Sequence, residues 1–182
     1  MLLYGAVRFV EFLKTTVLLT TGAATALATV SVFAVATGST ATTLWVSAGW
    51  WLLAATLGAW FGRRSDASPA IARLLATAKA STALPKQRPA AVLLNRLWPL
   101  LVLTIAAGAA AVAAPQVPGI GAGFALLGAF AWRHQHAAVA AVEQRDGVRF
   151  YVIRTSPIRP IELQRTPGLK AIPPPHANGA VP

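Results

Sequence analysis

The residues of this sequence best suited to chemistry are Trp132-Arg133-His134-Gln135-His136, with Glu143 one helical stretch further on. Imidazoles and a carboxylate are common metal ligands and proton carriers, and ionisable groups at membrane depth are functional candidates by default. Their spacing speaks against joint use. At about 3.6 residues per turn, His134 and His136 face nearly opposite sides of a helix. His136 and Glu143 share a face but stand two turns apart, too far to hold one metal ion without a third element. The same residues read more simply as an anchor at the inner membrane boundary. Trp132 then sits in the aromatic belt and Arg133 reaches the headgroups.

Other signatures of chemistry are missing. The run Gly119-Ile120-Gly121-Ala122-Gly123 is no dinucleotide loop, because it lacks the third glycine at the right spacing and follows no strand. HExxH, GxSxG and phosphate-binding GxxxxGK[ST] patterns do not occur. Without cysteine there are no disulfides, thiolate metal sites or thiol nucleophiles. The only acids are Glu11, Asp66, Glu143, Asp146 and Glu162. None lies in the middle of an apolar stretch, where a carboxylate-driven transporter would need one. The sequence therefore predicts no catalytic set, no metal site and no cofactor.

The elements that would position such residues are four apolar stretches: Thr15–Thr37, Thr43–Gly62, Leu93–Ala114 and Val117–Trp132, the last extended to Ala138. Each approaches the roughly 20 residues that cross about 30 Å of hydrocarbon as a helix. Helices are required there because lipid offers backbone N–H and C=O groups no partner. With 55% hydrophobic and 12% charged residues among 182, the chain cannot hide these stretches in a soluble fold, where surface helices need a polar face. The expected fold is an all-α membrane protein. A four-transmembrane-helix bundle fills residues 1–144, with spans at 15–37, 43–62, 93–114 and 117–138.

Orientation follows from Lys and Arg. All sixteen lie in the start (Arg8, Lys14), the middle link (Arg63 to Arg96) and the tail (Arg133 to Lys170). The links Gly38–Thr42 and Pro115–Gln116 hold none. Both termini are therefore expected on the cytoplasmic side. The preference for Arg, Ala, Gly and Pro suggests a high-GC bacterium, hence the bacterial inner membrane. Ala34-Val35-Ala36 resembles a cleavage pattern, but the run from Thr15 exceeds the usual signal core of about 7–15 residues, so the first span is expected to stay. The formal charge of +11 then reads as a topology signal rather than a nucleic-acid footprint. Its attraction to anionic lipid is worth about 1 kcal/mol per residue held at the surface.

Between the spans, Met1–Lys14 reads as a helical lead-in, with Leu3, Val10 and Leu13 at helical spacing. Ser68-Pro69 is a cap followed by a first-turn proline. Ile71, Leu74, Leu75 and Ala78 then form one stripe, with Lys79 at its edge, which predicts a short helix lying in the membrane interface. Pro85 and Pro89 end it, and Trp98 marks the start of the third span. Trp98, Trp132, Arg133, Arg63, Arg64 and Lys79 are the expected interfacial anchors. Small residues recur as ridges: Thr21/Thr25/Thr29, Ala54/Gly58/Gly62, Ala106/Ala110 and Gly119/Gly123. They predict close helix packing without specifying a dimer.

The tail, 145–170, is the least generic part. Asp146-Gly147 is a turn signal. Val148–Arg154 alternates, with Val148, Phe150 and Val152 on one face and Arg149, Tyr151 and Ile153 on the other. Thr155-Ser156-Pro157 breaks it before a second extended run, Ile158–Arg165. A small β-hairpin under the membrane is expected. Two strands alone are marginal and need the bundle, headgroups or a partner for support, with Pro160 at an edge. The Pro-rich end, 171–182, is expected to be disordered.

The stretch Gly147–Gly168 resembles the tail of small multi-pass membrane proteins of actinobacteria, a group with no established activity. The resemblance implies that the tail carries the role, and it transfers no functional residue. The expectation is a non-catalytic accessory or scaffold protein. It would present Arg149, Tyr151, Arg154, Arg159 and Arg165 to anionic membrane lipids, a membrane-protein partner or a second copy. Alternatives are a small transporter or channel subunit acting as an oligomer, and an intramembrane enzyme using His134, His136 and Glu143 in one pocket.

Overall fold

A computed structural model of the chain describes residues 6–37, 41–64, 66–83, 85, 88–156 and 159–168. In chain order the elements are α1 (Phe9–Ala36), α2 (Ala41–Phe61), α3 (Pro69–Ala76), β1 (Lys79–Ala80) and α4 (Pro89–Ala109). A 3-10 turn at Ala110–Val112 precedes α5 (Gln116–Trp132), α6 (Gln135–Asp146), β2 (Val148–Arg154) and β3 (Glu162–Pro167). Among the described residues, three helices are long and apolar enough to cross a membrane: α1, α2, and α4 with its 3-10 turn. The fourth expected span is not one helix through Ala138. It stops at Trp132, turns at Arg133–His134 and restarts as α6, which buries Val139 and Glu143.

The bundle is organised around α5, which packs along both α1 and α2, while α4 meets α1 and touches α5 less. Glycine makes the α2–α5 contact close. A methyl group at Gly58 would stand 2.7 Å from the Leu127 carbonyl oxygen, and one at Gly119 would stand 2.6 Å from Ser47 Oγ. Methyls at Gly62 and Gly123 would run into the Phe130 carbonyl and the Trp50 indole. Trp50 Nε1–H donates to the Ile120 carbonyl at 3.1 Å, and Trp51 Nε1–H to the Gly119 carbonyl at 2.7 Å. Thus Gly119 lies level with Ser47, and Phe130 with Gly62: α5 runs parallel to α2 through the same depth.

The Thr ridge of α1 behaves differently from the glycine ridges. Thr21, Thr25 and Thr29 are exposed, and their hydroxyls donate to the carbonyls of Val17, Thr21 and Thr25 at 2.9, 3.0 and 2.9 Å. They make no packing ridge; Ala24, Leu27 and Ser31 take the buried face instead. Bonding within the helix removes the cost of presenting these hydroxyls to an apolar surrounding. Ala106 is likewise exposed.

At one end of the bundle lies a second unit, the cap. The sheet has the order β1-β3-β2, with β1 parallel and β2 antiparallel to β3. The free edge of β2 is taken by the chain just before α1. Val152 N–H donates to the Val7 carbonyl at 3.0 Å, and Arg8 bridges Tyr151. The lead-in is therefore extended at Val7–Arg8 and helical only from Phe9, while Leu3 lies outside the described residues. Phe9, Phe12 and Leu13 meet Ile71, Val92, Val139, Phe150, Val152 and Leu163 in one core. At 28 residues, α1 is about 42 Å long, enough to cross about 30 Å of hydrocarbon and still supply its first turns to the cap.

The predicted helix of the middle link is present, with Ser68 Oγ accepting from Ile71 N–H at 3.4 Å. Its stripe meets protein. Ile71 is 1% exposed in the cap core, and Leu74, Leu75 and Ala78 pack against it. The hairpin is also present, with its second strand starting later than expected, at Glu162, so Pro160 precedes the strand. Pro157, Ile158 and the segment 171–182 lie outside the described residues.

Candidate functional site

The most constrained polar geometry is in the cap. Glu143, on α6, is 6% exposed. Its Oε2 accepts from Arg8 Nη2 at 2.7 Å, and its Oε1 accepts from Phe150 N–H at 2.9 Å. One carboxylate thus joins α6, β2 and the chain leading into α1. The bond to Glu143 pushes the Arg8 guanidinium above its ordinary pKa, against a smaller opposing effect of burial. Gly147, at φ 62°, ends α6 in the left-handed region that favours glycine and sends the chain back as β2. Gly168 N–H closes the far end of the hairpin on the Gly147 carbonyl at 2.9 Å.

Side chains of α4 hold the loop after β2. Asn95 Nδ2–H donates to the Thr155 carbonyl, and Arg96 to the Ser156 carbonyl and, at 3.1 Å, to that of Arg159. Thr155 Oγ1–H returns a bond to the Val92 carbonyl at 2.9 Å. At the other side of the cap, Gln135 Oε1 accepts from Ser68 N–H at 2.8 Å, tying α6 to the start of α3. Sequence reasoning missed this role of Asn95 and Arg96. The signal was there: two adjacent polar residues inside an otherwise apolar stretch.

The tail arginines reach the surface: Arg149, Arg154, Arg159 and Arg165 are all exposed. Tyr151 does not join them. It is 8% exposed, on a strand with β3 along one edge and Val7–Arg8 along the other. Tyr151 is therefore removed from the expected binding face. Beside this face, Arg145 Nε–H donates to Asp146 Oδ1 at 2.8 Å. That bond, aided by the charges of Arg145 and Arg165, holds the Asp146 carboxyl below the usual range, while slight burial opposes it.

The expected anchors divide. Trp98, Trp132, Arg63 and Arg64 are exposed, and the Arg63 guanidinium lies over the Trp60 ring at 4.8 Å. Arg133 is half-buried, 5.8 Å from the Phe130 ring. Lys79 belongs to β1, its Nζ 4.0 Å from Glu162 Oε2, so a strand rather than a helix edge carries it. A cavity of about 730 Å³ opens where α2 and α5 end, bordered by Trp60, Arg64, Asp66, Trp132 and Gln135.

The residues named for chemistry are not brought together. His134 precedes α6 and is exposed, His136 is half-buried, and Glu143 is engaged by Arg8 and Phe150. Among the described residues no group of three His, Cys, Asp or Glu side chains is placed to hold a metal ion. Compared with known protein families, curated proteins and solved structures, the chain matches none.

Proposed function

We propose that this chain is a non-catalytic accessory or scaffold protein of the bacterial inner membrane, crossing it four times with both termini in the cytoplasm. Three helices have the length and apolarity to cross. The fourth crossing rests on α5, whose 17 residues cover about 25 Å and run parallel to α2 through the same depth. The bias of Lys and Arg supports the orientation. In this reading the cap presents Arg149, Arg154, Arg159 and Arg165 to anionic lipid or a protein partner. The kinship of Gly147–Gly168 with small actinobacterial membrane proteins is carried forward as part of the same proposal.

One observation carries the reading: these four exposed arginines sit on a sheet and loop locked to the helix ends by a buried core and the Glu143 bonds. A free tail would sample many positions, whereas this one holds its charge at a fixed place under the membrane. Arg165 stands across from Phe150 and so projects from the face opposite Arg149; one anionic surface engages part of the set, at about 1 kcal/mol per arginine held near it. A transporter would need a polar path, and the exposed Thr21, Thr25 and Thr29 of α1 are the candidates for one. Their hydroxyls donate within their own helix, so the accessory reading is preferred here.

Truncation after Gln144 would remove β2 and β3 from the cap core, so the test uses surface substitution. The protein with all four arginines changed to Gln is released from native membranes in mild detergent beside the wild type. Loss of a stoichiometric partner or of bound anionic phospholipid is the expected result. Identical recoveries contradict the proposal.

A further inference from the structure

The cavity of about 730 Å³ opens at the elbow where α2 ends, α3 begins and α5 gives way to α6. Its size is within the range that small ligands occupy. Trp60, Arg64, Asp66, Ser68, Trp132 and Gln135 line it. Gln135 is only 7% exposed, and its Oε1 accepts from Ser68 N–H at 2.8 Å. A backbone N–H can only donate, so this bond fixes which end of the amide is oxygen and which is nitrogen. Among the described residues Gln135 Nε2 has no partner, and it is not sealed from solvent. Its two hydrogens are left to the cavity.

The charged groups there are equally unengaged. Arg64 and Asp66, two residues apart, are both exposed, and among the described residues neither makes a hydrogen bond or ion pair. The indole N–H groups of Trp60 and Trp132 also have no partner among them.

We infer that this cavity binds a phosphoethanolamine group, a phosphate ester with a primary ammonium two carbons away. Arg64, Gln135 Nε2 and the two indoles present hydrogen-bond donors, which suit the phosphate oxygens, and a guanidinium adds charge-assisted bonds to them. The ammonium needs an acceptor of opposite charge. Asp66 is the only carboxylate among the described residues lining the cavity. The Trp132 ring adds a face that attracts a cation, while the Trp60 ring already carries the Arg63 guanidinium at 4.8 Å. A headgroup with phosphate and no ammonium would meet Asp66 as a like charge, which works against it.

The phosphoethanolamine group has two sources. On the reading that α2 and α5 lie in the bilayer, Trp60 and Trp132 settle at headgroup depth and the group arrives on a phospholipid. It also arrives on soluble glycerophosphoethanolamine. The cap arginines take no part in this site.

The test releases the full chain from vesicles of equal parts phosphatidylethanolamine and phosphatidylglycerol and reads the retained lipid by native mass spectrometry. A second arm titrates glycerophosphoethanolamine into the chain in mild detergent by calorimetry. Wild type is expected to retain phosphatidylethanolamine in preference to phosphatidylglycerol. Asp66→Asn is expected to abolish that preference. Arg64→Gln is expected to lower phosphatidylethanolamine retention about tenfold, the weight of one hydrogen bond to a charged group. Both side chains are exposed, so Tm is expected to stay the same in each variant. Glycerophosphoethanolamine binding that both variants weaken, without a lipid preference, places the same chemistry on a soluble ligand. A lipid preference that neither variant moves, or binding in neither arm, overturns the site. Alkaline carbonate extraction separates this failure from that of the membrane reading. Chain that stays in the membrane and binds in neither arm refutes only the cavity. Chain that is released refutes the spans, and the soluble arm then decides the site.

Discussion

The bundle and the cap solve the packing problem in opposite ways. In the bundle the buried residues are mostly small, with Leu27 and Pro118 the larger exceptions: Ala54, Gly58, Ala122, Gly123, Ser31 and Ser47. The large side chains, Trp45, Leu52, Leu103 and Phe124 among them, point outward. In the cap Phe9, Phe12, Ile71, Phe150 and Leu163 are inside and the arginines outside. On the proposed membrane reading the contrast follows from two solvents. Lipid gives helices no hydrophobic reason to associate, so close backbone approach at glycine and alanine does the work. Water does give that reason, so the cap buries large apolar groups. α1 passes through both regimes, with its first turns packed like a soluble core and the remainder like a span.

The sharpest break in that comparison is Phe9→Ala. It deletes a ring 1% exposed at the centre of the cap, and about 3–5 kcal/mol of stability should go with it. Limited proteolysis should then cut the β2–β3 tail while circular dichroism shows the bundle helices retained. Equal loss in both would mean a single cooperative unit.

Gly123→Leu probes the other side. It drives a side chain into the Trp50 indole and should cost about 1–3 kcal/mol, seen as a lower Tm in detergent with cap proteolysis unchanged.

Glu143→Gln asks how firmly the two regions are joined. The charge opposite Arg8 is lost, and Arg8's side chain is 41% exposed, so screening reduces the effect to about 1–2 kcal/mol. Chemical denaturation should register it in the cap first.

The smallest effect is on pH dependence. The Asp146 carboxyl is held low by Arg145, so in acid the unfolded chain binds more protons than the folded one. The stability it adds is present above about pH 4 and disappears as pH falls through the lowered folded value. Asp146→Asn should flatten the acid side of the cap's stability profile.

Much of this division can be read in the sequence, and the exceptions have physical causes. The three long helices follow from apolar length, α3 from its cap and proline, and the β2–β3 hairpin from alternation and turn residues. The glycine ridge of α2 was readable as a close contact, but not its partner. β1 is two residues long, too short for any periodicity, and pairs only because β3 comes alongside. Alternation tells which residues share a face of β2 and says nothing of what covers that face, hence Tyr151. The Arg8–Glu143 bond joins residues 135 positions apart, and each partner looks ordinary on its own. No local pattern announces the break at Arg133–His134, where α5 ends and α6 begins.

The most direct measurement is hydrogen exchange of the wild type and Glu143→Gln in lipid nanodiscs. A cap built around the start of α1 predicts slow exchange of the Phe150 and Val152 amides. It also predicts that Glu143→Gln speeds exchange in Val7–Leu13 and β2 together and leaves α2 and α5 unchanged. Fast exchange throughout β2 in the wild type, or acceleration in β2 alone, would contradict it.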